Sequence, residues 1–167
     1  MTLTRRHIIA SAIATTISVR PLLAAAPREI GWEDLIPPGV PYAKIIGEGA
    51  LDDVNDSWNP IFDDNATKLN ESLDGAYVRM PGFILPLEIG AEGVTDFILV
   101  PYMGACVHVP PPPPNQLVFA KTKRPWPGER LWEAVWVVGT MRTQLQSTEL
   151  GQTGYALDVD TMEIYRW

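Results

Sequence analysis

The chain has 167 residues, with 20 Asp and Glu against 13 Lys and Arg, and a formal charge of −7. A surface of that sign repels phosphate backbones and anionic lipid heads, which argues against nucleic-acid and peripheral membrane binding and favours cations. The length suits one domain with one hydrophobic core, and a lone cysteine, Cys106, excludes an internal disulfide.

Arg5-Arg6 open the chain, and an apolar stretch runs from Ile8 to Val19, breaks at Arg20-Pro21 and resumes as Leu22-Leu23-Ala24-Ala25-Ala26. A basic start, an apolar middle too short for a membrane span and small residues at its end mark residues 1–25 as a signal peptide for export to the periplasm. Thr4-Arg5-Arg6-His7-Ile8-Ile9 also resembles a twin-arginine signal. Cleavage removes Arg5, Arg6 and Arg20, so the formal charge falls from −7 to −10, and it removes one of the two histidines, His7. No later run reaches the roughly 20 apolar residues of a membrane span.

Residues 26–73 read as an N-terminal arm. Trp32-Glu33-Asp34-Leu35-Ile36 suggests a short helical turn stopped by Pro37-Pro38-Gly39, and the acidic stretch from Glu48 to Asp64 shows no sustained period. A helix is expected from Asp63 to Leu73, capped by Asp63 or Asp64, with Leu69 and Leu73 on one face. The acidic cluster here lacks the glycine and terminal glutamate spacing of a calcium loop and reads as a solvated face.

From Asp74 onward the pattern is β. Strands are expected over Tyr77–Leu87, bent or bulged because it holds Pro81-Gly82 and Pro86; over Thr95–Tyr102; from Asn115 to Lys121; over Leu131–Thr143; and over Tyr155–Tyr165 with a turn at Asp160-Thr161. Five or six short strands and few helices predict a mostly β fold for residues 74–167. The favoured shape is a small five- to six-stranded barrel of the oligonucleotide/oligosaccharide-binding (OB-like) type. That shape carries no function by itself.

The chemistry concentrates in Gly104-Ala105-Cys106-Val107-His108-Val109, followed by Pro110, Pro111, Pro112, Pro113 and Pro114 and then by Asn115-Gln116. In an extended segment Cys106 and His108 share one side while Ala105, Val107 and Val109 take the other. The prolines should follow as a polyproline rod rising about 3 Å per residue, stiff enough to brace the Cys/His edge. Asn115 and Gln116 then offer two amides, and the block from Pro110 to Gln116 is a candidate partner-binding face.

Three readings of the pair stay open. One is a buried cysteine beside a hydrogen-bonded histidine, a structural block in a non-catalytic adaptor. Another is a transition-metal site, zinc first and copper second, in which Asp96 and Glu88 are candidates for the ligands that Cys106 and His108 do not supply. Glu163 or Met103 could also contribute. The third is a cysteine nucleophile activated by His108, for which no orienting carboxylate or oxyanion hole can be named. Binding is favoured over catalysis. The six tryptophans are scattered beside strands and read as packing. Lys121-Thr122-Lys123-Arg124 is a solvated basic loop.

Leu73-Asp74-Gly75 with Val78-Arg79-Met80-Pro81-Gly82-Phe83-Ile84-Leu85-Pro86-Leu87, then Phe97-Ile98-Leu99-Val100-Pro101-Tyr102, and above all the Cys106-x-His108 block through Gln116, resemble a bacterial exported family catalogued as domain of unknown function 3299. Trp32-Glu33-Asp34-Leu35-Ile36-Pro37 looks like its usual entry. The resemblance implies a periplasmic protein or lipoprotein, associated in some members with transporter components and zinc-responsive gene sets. This chain has no lipobox cysteine near its cleavage site and no histidine-rich loop. The expectation is therefore a soluble periplasmic protein that binds a transition metal and assists metal handling or an envelope transporter.

Overall fold

The computed structural model describes residues 26–52, 57–103 and 111–166. Residues 1–25, where a signal peptide is expected, and the stretch Gly104–Pro110, with Cys106 and His108, lie outside the described residues.

Apolar residues at alternate positions of residues 77–86 face inward, giving strand β4 (Tyr77–Pro86) a strict buried/half-buried rhythm through Val78, Met80, Gly82 and Ile84. The expected bend at Pro81-Gly82 divides its pairings. Tyr77 to Gly82 pair antiparallel with β7 (Val135–Thr148), and Phe83 to Pro86 with β5 (Val94–Val100). Gly82 stands where the sheet turns this corner. A Cβ there would lie 2.7 Å from Leu99 Cγ and 2.9 Å from the Val100 carbonyl oxygen, so no larger residue fits without displacing β5.

β5 pairs antiparallel with β6 (Val118–Trp126), β6 pairs parallel with β8 (Gly151–Ile164), and β8 pairs antiparallel with β7. The order β4-β5-β6-β8-β7 returns to β4 and closes a five-stranded barrel, with a single parallel pair, in the expected OB-like arrangement. A sixth, two-residue strand, β1 (Arg28–Glu29), adds parallel to the outer edge of β4.

The arm departs from its expected form. In place of a helix from Asp63 to Leu73 there are two 3-10 turns, Asp64–Thr67 and Glu71–Leu73. The Asp63 carboxylate caps the first by accepting from Asn65 N. Continuation fails at Asn70: its backbone N–H donates to the Tyr155 hydroxyl, and its side chain accepts from Ser72 N and Ser72 Oγ. Side-chain and tertiary partners thus replace the intrahelical ones. The turn expected near Leu35 is present as Glu33–Leu35.

The acidic stretch forms a two-stranded ribbon, β2 (Ile45–Asp52) and β3 (Ser57–Phe62), whose register shifts between Ile45 and Gly47 and between Gly47 and Ala50. Those bulges erase the period of two that would have marked the strands in the sequence. Bulging also explains the missing turn at Asp160-Thr161. β8 runs straight through, and the register skips from Val138↔Thr161 to Gly139↔Val159, leaving Asp160 as the extra residue.

The core is filled from every barrel strand, with Phe97, Leu99, Val118, Val137, Met141, Tyr155 and Leu157 at its centre, and the arm adds Ile30, Leu35 and Leu73. A smaller cluster lies on the opposite face of β5, where Ile98, Val100 and Leu117 meet Phe83, Leu85, Tyr102 and Leu150. No helix among the described residues is long and apolar enough to cross a membrane.

Candidate functional site

The Cys/His motif falls in sequence between β5 and β6, in residues 101–117, the widest interval between consecutive barrel strands among the described residues. Its downstream end is firmly held. Pro113 has φ −65° and ψ 158°, the polyproline conformation expected of the run, and Pro112 and Pro113 are buried. Pro114 starts the 3-10 turn Pro114–Gln116, where a missing N–H costs nothing.

Asn115 and Gln116, expected to face a partner, are instead enclosed, at 0% and 3% exposure. Asn115 Nδ2 donates to the carbonyls of Asn65 (2.8 Å) and Lys68 (3.2 Å). Gln116 Nε2 donates to the carbonyls of Trp32 and Asn115, each at 3.0 Å. These amides satisfy backbone oxygens that the short turns of the arm cannot pair internally, so they fasten the arm to the barrel. Pro111 and Pro114 remain half-exposed and line a cavity of about 370 Å³ shared with Asn59, Asp64 and Gln152.

The two candidate carboxylates lie on a different groove. Glu88 and Asp96 line a cavity of about 740 Å³ between the β4–β5 loop and the tip of the β7–β8 hairpin, with Glu92, Glu149 and Phe119. Asp96 is committed there: Lys121 Nζ donates to it at 3.0 Å and Thr95 Oγ1 at 2.8 Å. Partial burial pushes its carboxyl up, but the hydrogen bonds from Lys121 and Thr95 outweigh that and hold it below its ordinary range. Asp96 sits five residues before Pro101, about 16 Å along the strand from the start of the Cys/His interval. Glu163 is also engaged, accepting from Arg79 at 2.7 Å. Among the described residues no three His, Cys, Asp or Glu side chains converge as a metal cage. A metal at Asp96 would compete with Lys121 and Thr95 for the carboxylate oxygens.

Sequence reading missed the part played by Tyr155. Its ring is wholly buried, and its hydroxyl donates to the Leu35 carbonyl (2.5 Å) while accepting from Asn70 N (2.6 Å). The clue was present, since a tyrosine at a core position of a strand must find a partner for its hydroxyl.

The model of the family described as "Protein of unknown function (DUF3299)" matches residues 32–164, which takes in the arm, the Cys/His connection and nearly all of the barrel. No curated protein matches the chain. The crystal structure of a DUF3299 family protein from Pseudomonas aeruginosa PAO1 is similar, with 36% sequence identity and a TM-score of 0.68, covering 86% of this chain and 99% of that one. A family match that runs unbroken through the arm, the proline run and the amides that join them places this chain in the DUF3299 family.

Proposed function

We propose that the protein is an exported, periplasmic accessory that carries a transition metal, zinc in the first instance, on Cys106 and His108. The signal-like segment 1–25 supports export. The observation that carries the metal reading is the setting of the pair. A thiol and an imidazole two residues apart fall in sequence in the widest interval between consecutive barrel strands among the described residues, just ahead of prolines and amides locked into the core. Long connections on rigid scaffolds are where binding residues gather. Two protein ligands leave positions open on a tetrahedral ion, which suits cargo that must be passed on. An acidic surface favours the approach of the cation. The resemblance to a family associated with transporter components and zinc-responsive genes points the same way, toward metal delivery or service to an envelope transporter.

Competition of the purified protein with a chromophoric chelator tests this. Wild type should retain zinc near one equivalent, and Cys106→Ser and His108→Ala should each weaken it by at least about tenfold, the scale of one lost ligand or its orienting partner. Zinc affinity that is absent, or indifferent to both substitutions, sinks the proposal.

The burial of Pro112, Pro113, Asn115 and Gln116 favours a second reading, a non-catalytic adaptor in which the block is structural. A pull-down of envelope proteins that succeeds equally with wild type and Cys106→Ser would favour it.

A further inference from the structure

The barrel wall opens where β6 and β8 diverge. β8 is paired with β6 only across Tyr155–Val159 and continues to Ile164 held by β7 alone, whereas the end of β6 turns to pair Trp126 with Val94 of β5. At the divergence is a cavity of about 620 Å³ with an apolar side formed by Trp126 and Trp136 and a charged side formed by Arg79, Arg130, Arg166 and Glu163.

This cavity reverses the sign of the molecule. A chain of net charge −7 gathers three arginines and one carboxylate around a single opening. Arg79 is already occupied. Its guanidinium lies 4.0 Å over the Trp136 ring and pairs with Glu163 at 2.7 Å and Glu29 at 3.3 Å, so it neutralises the acidic groups nearby. Arg130 and Arg166 make no ion pair among the described residues and are exposed at the rim. Beneath them Trp126 is held in place, its indole N–H donating to the Arg130 carbonyl at 3.3 Å. Trp136 is steadied by Tyr165, with ring centroids 5.0 Å apart and a tilt of 33° between the rings.

We propose that this cavity binds a small organic oxyanion, a carboxylate or phosphate ester carried on a flat apolar body. The oxyanion head meets Arg130 and Arg166, whose planar forks suit carboxylate and phosphate oxygens. The body lies against the indoles, which offer apolar area at little entropic cost because both rings are already fixed. The site uses neither Cys106 nor His108, so it stands or falls separately from the metal reading.

Titration of the full chain with benzoate and phenyl phosphate, read by calorimetry and by the indole N–H chemical shifts, tests the proposal and distinguishes the two head groups. Benzyl alcohol controls for the body without charge, and inorganic phosphate for charge without the body. Saturable binding of at least one charged probe is expected, with the largest shifts at Trp126 and Trp136. The Arg130→Gln, Arg166→Gln double variant should lose about tenfold or more in affinity, and Lys123→Gln should lose nothing. Both arginines are exposed and make no ion pair among the described residues, so the double variant should retain the fold, which circular dichroism checks. Absence of saturable binding, equal affinity for either control probe, or an unchanged affinity in the double variant overturns the proposal.

Discussion

At the scale of single residues, the hydroxyl of Tyr155 joins points far apart in the chain, Leu35, Asn70 and β8, at the centre of the barrel. Tyr155→Phe keeps the ring but leaves the Leu35 carbonyl and the Asn70 N–H without their partner, which should cost about 1–3 kcal/mol, read as a lower urea midpoint at unchanged slope. Burial pushes the phenol up, from its ordinary 10 to about 12, despite the opposing hydrogen bond from Asn70. The neutral form is therefore favoured by folding. Its contribution is fully present below pH 10 and is lost as pH rises through 12, so a stability profile should fall over that window in wild type and flatten in Tyr155→Phe. Asn115 and Gln116 show what residue-level reading could and could not deliver. Their position beside the prolines marked them as important, but whether an amide faces solvent or a buried carbonyl depends on chain far away in sequence, here Asn65, Lys68 and Trp32.

Elements were legible wherever alternation was regular. β4, β6 and β7 bury every second residue over much of their length, β5 stands out instead as the continuous apolar run Phe97-Ile98-Leu99-Val100, and Pro81-Gly82 marked the bend of β4. Bulges hid the rest: β2 and β3 lose their period at Gly47 and Gly49, and the skip at Asp160 looks like a turn in one dimension. The partner of that skip is Gly139, where a Cβ would come within 2.1 Å of the Asp158 carbonyl oxygen. Gly139→Ala must push β7 off β8 and should cost about 3 kcal/mol, the upper end of overpacking, seen as a lowered melting temperature. The ion pair of the candidate carboxylate Asp96 was not legible for a related reason. A register irregularity between Val94 and Asp96 determines that Lys121 lies opposite, and nothing local in the sequence shows it.

For the whole molecule, the class of fold could be read but the order of its strands could not, because closure depends on the parallel β6–β8 pair and on β4 returning to β7. Nor did the sequence reveal that arm and barrel share a core. Leu35 and Leu73 are fully buried in it, and Asn115, Gln116 and Tyr155 all terminate on arm backbone. Removing residues 26–73 should therefore abolish a single cooperative melt rather than release a stable barrel, and calorimetry of the shortened chain would show it. A sharp transition close to that of the intact chain would refute this.

The β2–β3 ribbon has a consequence for behaviour in solution. It is a two-stranded sheet whose edges pair with no other strand among the described residues, and Ile46, Leu51 and Ile61 on it are more than half exposed. Such edges invite strand-to-strand association between molecules, and in this chain mutual repulsion of like-charged surfaces is the restraint. Acidification into the range where carboxylates protonate removes that restraint while the backbone edges stay available. Light scattering should therefore rise on mild acidification before the barrel unfolds, and Ile46→Ser with Leu51→Ser, which removes exposed apolar area without altering the charge, should reduce it.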